Sequence, residues 1–166
     1  MKEIICSVLG LDTEAIPFGL NEEEEKCIAF KLKIKKQLLR LIEKEHARKF
    51  IASPEPGVNM YAAEIILDLQ KHYPDLSLEC VIPFEEEAVR WSEDFRSRYF
   101  SILERSQKET LLQRHFSPDC LQKRNISMVD AADTVLFLCE SENEAVAYAE
   151  NSGKEIFFLN EQKEAV

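Results

Sequence analysis

Residues 49–72, KFIASPEPGVNMYAAEIILDLQKH, contain a local pattern that recurs along the whole chain. The first four of them form a short apolar run with the length of a buried β-strand. From Val58 onward, apolar residues recur at steps of three or four, which is the spacing of one helix face. The intervening loop holds two prolines and a glycine, residue types that interrupt regular structure. The stretch therefore predicts a strand, a loop and a helix in succession.

Strand-like and helix-like segments alternate along the rest of the chain. Runs rich in Ile, Val and Phe predict strands at 4–8, 49–52, 78–82, 110–113, 134–139 and 156–159. Helical spacing covers 24–45, 58–72 and 93–105. Such alternation predicts an α/β fold, a single Rossmann-like doubly wound domain over residues 1–166. Its sheet is expected to be mainly parallel, with helices on both faces.

Local signals predict where several helices begin and end. Ser92 is expected to cap the helix at 93–105, and Ser117-Pro118-Asp119 to start another with proline in its first turn. Pro74 is expected to end the second helix, and Gly153 the last one. The acidic run at 22–25 lies where the first helix should begin, so it is expected to complement the helix dipole.

The composition is that of a globular protein with one unusual shortage. The chain has 166 residues, of which 45% are hydrophobic and 31% charged, and only four are glycine. A typical usage of about 7% would give about twelve. The four, Gly10, Gly19, Gly57 and Gly153, lie too far apart to form a glycine-rich phosphate loop. This spacing excludes a GxGxxG fingerprint and a Walker A loop.

The charge distribution disfavours nucleic acid as a partner. The formal net charge is −10, from 21 basic and 31 acidic residues. Residues 125–166 hold two basic residues against nine acidic ones. A surface built from that segment would repel a phosphate backbone.

The cysteines and the apolar runs bear on the cellular compartment. The five cysteines have no CxxC spacing, and four lie in apolar or amphipathic runs that are typical of buried free thiols. No apolar stretch has the length of a membrane span, and no signal peptide is recognisable. We therefore expect a cytoplasmic protein with no membrane partner.

Ordered blocks of sequence resemble one known family. They are GVNMYAAE at 57–64, YPD at 73–75, IPFEE at 82–86, WSE at 91–93, RYF at 98–100, LQRHFSPDC at 112–120, QKRN at 122–125 and MVD at 128–130. PFG at 17–19 and Asn21 fit the same pattern. These blocks resemble the YpsA-like branch of the SLOG superfamily, which includes proteins related to DprA and to the LOG enzymes.

The resemblance implies a Rossmann-like sheet and a site for a nucleotide or a nucleotide-derived ligand. LOG-type relatives hydrolyse the glycosidic bond of a nucleoside monophosphate, and DprA-type relatives bind single-stranded DNA. The resemblance alone does not choose between these roles. In a doubly wound sheet, such a ligand binds outside the carboxyl ends of the strands.

Two of the loops that face this position differ from the family pattern. After the first strand, relatives have a Thr-Gly-His-Arg-Pro run, whereas residues 6–12 here are CSVLGLD and hold no partner for a phosphate. After the second strand, Pro54 and Pro56 have no N–H to donate, and Glu55 adds a negative charge. We therefore expect the phosphate site to be weakened or lost.

The loop after the fifth strand differs as well. Relatives have a glycine-rich segment there, whereas this chain has Glu140, Glu142 and Glu144 and no glycine. Such alternating carboxylates could hold a divalent cation, but acids in solvent at a helix start are the more common case. We expect no metal site and no cofactor.

The candidate ligand-binding residues come from blocks that match the family. They are Gly57, Asn59, Tyr61, Glu64, Arg98, Arg124, Asn125 and Asp130. Glu64 is the candidate catalytic residue: it either accepts a sugar hydroxyl or acts as the carboxylate of LOG-like chemistry. The alternative is a helix-surface acid paired with a base. For Arg124 and Asn125 the alternatives are ligand contacts and structural hydrogen bonds to neighbouring loops, and we favour the second.

Three functions remain open at this point. The favoured hypothesis is a binding or regulatory module without catalysis, whose small nucleotide-derived ligand binds weakly. The first alternative is a LOG-like nucleotide phosphoribohydrolase. The second is a self-associating interaction protein, a homo-oligomer formed through its helical faces.

Overall fold

The computed structural model describes residues 2–10, 21–138 and 143–159, and within them six strands form one parallel sheet. In chain order the strands are β1 (Ile4–Gly10), β2 (Ala47–Ala52), β3 (Ser77–Ile82), β4 (Lys108–Leu111), β5 (Thr134–Leu138) and β6 (Glu155–Phe158). Their spatial order is β4-β3-β2-β1-β5-β6. All five neighbouring pairs are parallel. The predicted parallel α/β architecture is confirmed.

Five helices connect these strands in the described residues. They are α1 (Glu25–Lys44), α2 (Val58–Leu69), α3 (Glu93–Arg105), α4 (Cys120–Asp130) and α5 (Glu144–Asn151). The chain builds the sheet in one direction from β1 to β4 and then returns to the other side of β1 for β5 and β6. Because parallel crossovers are right-handed, this reversal places the later helices on the opposite face.

The sheet separates two hydrophobic cores. Alternate residues of one strand point to opposite faces, as in β5, where Leu136 and Leu138 pack with α1 and α2 while Val135 and Phe137 pack with α4 and α5. The buried stripe of α1, Ile34 to Ile42, lies in the first core. Helix α2 is buried almost all round because α1 and α3 flank it. The helices on both faces are therefore confirmed.

Several predicted boundaries are correct. Helix α1 lies within the predicted 24–45, and α3 starts after Ser92, whose Oγ accepts a hydrogen bond from the Phe95 amide at 3.2 Å. Gly153, with φ of +73°, follows the last helix. The four cysteines in the described residues, Cys6, Cys27, Cys80 and Cys120, are buried and free, while Cys139 lies outside them.

Three boundary predictions are wrong, each for a local reason. Strand β4 lies two residues earlier than predicted because its pairing with β3 sets its position. Helix α2 ends at Leu69, well before Pro74, in a turn where the Gln70 side chain donates to the Leu76 carbonyl. Helix α4 begins at Cys120 because the Ser117 hydroxyl donates to Asp119 and caps no backbone amide.

No helix in the described part of the chain is long and apolar enough to cross a membrane.

Candidate functional site

The carboxyl ends of β1, β2 and β5 meet where the strand order reverses. Because β1 lies between β2 and β5, the switch point of the sheet lies between β1 and β5. Gly10 ends β1, and the loop from Ser53 to Gly57 follows β2. A doubly wound sheet binds its ligands at this position.

Gly10 allows α2 to approach the end of β1 closely. A Cβ atom at Gly10 would lie only 2.3 Å from Val58 Cγ2 and 2.9 Å from Asn59 Oδ1. The Gly10 amide donates to that same Asn59 Oδ1 at 2.9 Å. Gly57, the residue before α2, has φ of +104°, which favours glycine. These two glycines therefore position the amino end of α2 against the sheet.

Glu55 joins this position to α4. Its Oε1 accepts hydrogen bonds from Asn59 Nδ2 at 2.8 Å and from Arg124 Nη1 at 2.6 Å. Arg124 Nη1 also donates to Ser53 Oγ at 3.3 Å, and Nε and Nη2 donate to Asn125 Oδ1 at 3.2 and 3.0 Å. We call these five residues, Ser53, Glu55, Asn59, Arg124 and Asn125, the strand-end network.

The two opposite charges of the network are paired with each other. The Arg124 side chain is only 6% exposed and that of Glu55 23%. A buried guanidinium needs a paired charge, and Glu55 supplies it. The sequence predicted that Glu55 adds a negative charge that repels an anion. In the structure Arg124 neutralises this charge, and Arg124 is then no longer available to a phosphate.

A buried carboxyl group lies near this network. Glu87 is 8% exposed, and its Oε2 accepts a hydrogen bond from the Tyr99 hydroxyl at 3.1 Å. Burial, reinforced by the negative charge of Glu55, raises the pKa of Glu87 to about 8. The same causes, with Glu87 as the charge, raise the pKa of Tyr99. The sequence did not point to Glu87, since it lies in an acidic run that looks like a solvent-exposed surface.

Glu64 and Arg98 belong to a separate ionic cluster. Arg98 Nε and Nη2 donate to the two Glu64 oxygens at 3.0 and 2.6 Å, and Nη1 and Nη2 donate to the Glu22 oxygens at 2.6 and 3.0 Å. Lys31 Nζ donates to Glu22 Oε1 at 2.7 Å. We call Glu22, Lys31, Glu64 and Arg98 the helix clamp, because it joins the segment before α1 to α2 and α3.

The helix clamp bears on the roles that the sequence predicted for Glu22 and Glu64. Glu22 was expected to complement the dipole of the first helix, but it lies before α1 and pairs with Arg98 and Lys31 instead. Burial opposes ionisation of Glu22, yet its hydrogen bonds to Arg98 and Lys31 outweigh burial and lower its pKa. For Glu64, the two alternatives were a ligand-binding carboxylate and an acid paired with a base, and here it is paired with Arg98.

The remaining candidate residues lie apart from the strand-end network. Tyr61 is 1% exposed, and its ring lies 4.5 Å from Lys31 Nζ. Asp130 ends α4 and accepts a hydrogen bond from the Tyr148 hydroxyl at 2.6 Å. The structure thus brings Gly57, Asn59, Arg124 and Asn125 together at the carboxyl end of the sheet. Glu64 and Arg98 meet in the separate helix clamp, and Tyr61 and Asp130 also lie away from the strand-end network.

A cleft opens beside the network, between α4 and α5. Its volume is about 510 Å³, and it extends to Gly10 at the end of β1. Arg124 and Asn125 contribute to one wall and Tyr148 to the other. No pattern in the sequence singled out Tyr148, because its place in the cleft depends on how the two helices face each other.

Two predicted loops lie partly outside the described residues. These are the end of the first loop, Leu11 and Asp12, and the acidic segment with Glu140 and Glu142. Among the residues described, no group of three or more His, Cys, Asp or Glu side chains is arranged to hold a metal ion.

The profile of the YpsA family, described as the YspA SLOG family, matches residues 15–162. The chain belongs to the YpsA family. This YpsA-family domain is 30% identical over 129 residues to the UPF0398 protein YpsA of Bacillus subtilis, a match that covers 76% of the domain and 71% of that protein. It is 29% identical over 150 residues to a UPF0398 protein of Bacillus licheniformis, covering 89% and 77% of the two chains.

A solved structure supports the fold of the YpsA-family domain. DNA processing protein A from Helicobacter pylori, described for its single-stranded DNA binding mode, superposes with a TM-score of 0.58 at 15% identity. The match covers 93% of this chain, which spans only 64% of the length of that one. At this identity the likeness concerns the fold alone.

Proposed function

We propose that this YpsA-family domain is a binding module without catalysis, and that it does not hold a nucleotide by its phosphate. The observation that supports this most directly is the contact between Glu55 and Arg124 at the carboxyl end of the sheet, 2.6 Å long and largely buried. A phosphate at this position would have to displace the Glu55 carboxylate or lie beside it.

Both routes are unfavourable. Displacing the Glu55 carboxylate would exchange the existing ion pair with Arg124 for a new one with the phosphate, so little of that new contact would count toward binding. An anion placed beside the pair gains no net attraction from Arg124, because Glu55 already neutralises that positive charge. Each new hydrogen bond to the phosphate would contribute only about 1.5–3 kcal/mol to binding. The Gly10 amide, which could donate one, already donates to Asn59.

The helix clamp supports the absence of catalysis. Both oxygens of Glu64 accept hydrogen bonds from Arg98, which is itself shared with Glu22. Charge-assisted paired bonds of this kind are among the strong ones in proteins. A carboxylate held in this way would have to break them before it could act on a substrate, so the LOG-like alternative has less support.

The experiment is a calorimetric titration of the full chain with AMP, ADP-ribose and NAD, together with an assay for free base released from AMP. We expect no binding tighter than about 1 mM and no base release. Micromolar binding of any of the three would contradict the loss of the phosphate site. Base release that Glu64→Gln abolishes would establish the enzymatic alternative.

Binding of single-stranded DNA, as described for the Helicobacter pylori protein, has less support from the charge of this chain. Its 31 acidic residues outnumber 21 basic ones, whereas non-specific binding depends on basic contacts to phosphate. Fluorescence anisotropy with a labelled oligonucleotide tests this at physiological salt. Binding tighter than about 10 µM would contradict the proposal.

A further inference from the structure

Two large aliphatic side chains lie on the side of α1 that faces away from the sheet. The buried stripe of this helix packs in the first core, whereas Ile28 is 51% exposed and Leu32 is 54% exposed. The two residues are four positions apart, so their side chains are neighbours on the helix surface, about 6 Å apart along its axis. Together they form an apolar centre on the outer side of α1.

A charge of opposite sign lies at each end of this apolar centre. Glu25 precedes Ile28 by three residues and Lys35 follows Leu32 by three, a spacing that keeps all four on one side of the helix. Both charged side chains are exposed, and within the described residues neither takes part in an ion pair. The positions three and four residues away from each hold no opposite charge, so α1 itself offers neither a partner. We call Glu25, Ile28, Leu32 and Lys35 the outer strip.

The outer strip is complementary to the same strip on a second copy that runs antiparallel to it. Ile28 and Leu32 have their midpoint at position 30, and Glu25 and Lys35 have the same midpoint. A two-fold axis at this point places Ile28 of each copy against Leu32 of the other. The same axis places Glu25 of each copy against Lys35 of the other, with one such contact on either side of the apolar centre. In a parallel pair, like charges would face each other instead.

The distribution of charge along α1 favours the same arrangement. Residues 26–40 hold six basic residues and no acidic one, whereas residues 22–25 are all glutamate. Antiparallel pairing about position 30 brings the acidic start of one helix opposite the basic stretch of the other. The lysines of α1 therefore oppose an antiparallel pair much less than they oppose a parallel one.

We propose that a second copy of this chain binds the outer strip, so that two α1 helices pack antiparallel in a symmetric dimer. This inference does not depend on the proposed function. Because α1 lies in one hydrophobic core and α4 and α5 lie in the other, the cleft between α4 and α5 is on the opposite face of the sheet. The dimer therefore leaves both clefts accessible on its outer sides.

The first test is sedimentation velocity of the full chain from about 5 to about 500 µM at low salt. Four side chains from each copy make a small contact, so the association is expected to be of the weak class. We expect a monomer–dimer equilibrium with a dissociation constant below about 500 µM. The constant should rise with added sodium chloride, since salt screens exposed charge pairs.

Charge reversal locates the interface. Glu25→Lys gives lysine at both charged positions of the strip, and Lys35→Glu gives glutamate at both, so each variant alone should dimerise about tenfold more weakly or not at all. An equimolar mixture of the two should recover the dimer, because every charge contact between the two variants is again of opposite sign. Circular dichroism checks that each variant is folded.

Two further variants complete the test. Leu32→Ala removes an apolar contact on both sides of the axis and should weaken the dimer about tenfold. Lys26→Glu is the matched control, since it reverses a charge on α1 nine residues from Lys35, which is two and a half turns and hence the opposite side of the helix. It should leave the dissociation constant unchanged.

Three results would overturn the proposal. The first is a wild type that stays monomeric at about 500 µM, and pelleting with phosphatidylglycerol vesicles would then identify an anionic bilayer as the occupant of α1. The second is a dimer that neither charge reversal nor Leu32→Ala weakens, because its interface then lies elsewhere. The third is a mixture of the two charge variants that stays monomeric, because the helices then do not pair antiparallel about position 30.

Discussion

Replacing Glu87 by glutamine removes a carboxyl group that the fold buries beside other charges. The side chain is 8% exposed and accepts one hydrogen bond, from the Tyr99 hydroxyl at 3.1 Å. Glutamine has nearly the same shape, and its amide oxygen can accept the same bond. The substitution therefore changes the ability to ionise and little else.

The expected effect depends on pH. Burial and the Glu55 charge raise the pKa of Glu87 from its usual value of 4.5 to about 8 in the folded state. The unfolded chain loses this proton near 4.5 and the folded chain near 8, so the native state binds more protons across that window. The stability of the wild type consequently falls as pH rises through the window and is lowered by a constant amount above it.

The magnitude follows from the same values. A tenfold change in proton affinity corresponds to about 1.4 kcal/mol. Between pH 5 and pH 8.5, the wild type should therefore lose about 4 kcal/mol relative to Glu87→Gln. The variant is the more stable protein at the alkaline end.

The assay is urea denaturation of both proteins at half-unit steps from pH 5 to pH 8.5. The quantity of interest is the difference between the two free energies of unfolding, because the titration of all other groups cancels in it. Glu86→Gln, the same substitution at an exposed neighbouring position, is the matched control. If the difference for Glu87→Gln stays constant within about 0.5 kcal/mol, the carboxyl is ionised in the native state and the reasoning is wrong.

Three further substitutions test the site. Glu55→Ala leaves Arg124 buried without its partner, so the free energy of unfolding should fall by about 3 kcal/mol, and about 50 mM phosphate should restore part of it in a thermal melt. Gly10→Ala places a methyl group 2.3 Å from Val58 Cγ2 and should cost about 1–3 kcal/mol in urea denaturation. Arg98→Met removes the cation between two carboxylates of the helix clamp. The free energy of unfolding, followed by thermal melt, should fall by about 1–3 kcal/mol, and the fall should be larger at low salt.

Controls separate these effects from general ones. Sodium chloride at matched ionic strength should not replace phosphate in the Glu55→Ala melt, and equal rescue by both salts would contradict an anion site at Arg124. Glu85→Ala, which removes an exposed acid, is the control for Glu55→Ala. It should change the free energy of unfolding by less than about 0.5 kcal/mol. An unchanged stability of Gly10→Ala would contradict the close approach of α2, and an unchanged stability of Arg98→Met would leave the helix clamp without an energetic role.

Much of the architecture follows from local patterns. Runs such as Phe50 to Ala52 identify a buried strand because both faces of a parallel strand are apolar, and the stripe on α1 identifies a helix because one side packs on the sheet. The sequence pattern places strand β4 two residues too late, since most residues of this edge strand are exposed and its apolar residues do not mark its bounds. Local signals also misplaced the end of α2 and the start of α4, where side-chain hydrogen bonds within the turns decide the boundary.

The amino-acid sequence by itself determined the alternation of strands and helices, the parallel sheet and the shortage of phosphate-binding glycines, because these depend on residues close together in the chain. Only the tertiary structure decided which charges meet. Glu55 and Arg124 are 69 residues apart, and Glu22 and Arg98 are 76 apart. A glutamate in a loop looks the same in sequence whether it faces solvent, repels a ligand or neutralises a buried arginine. The choice among these depends on distance and burial, which exist only once the helices have packed on the sheet.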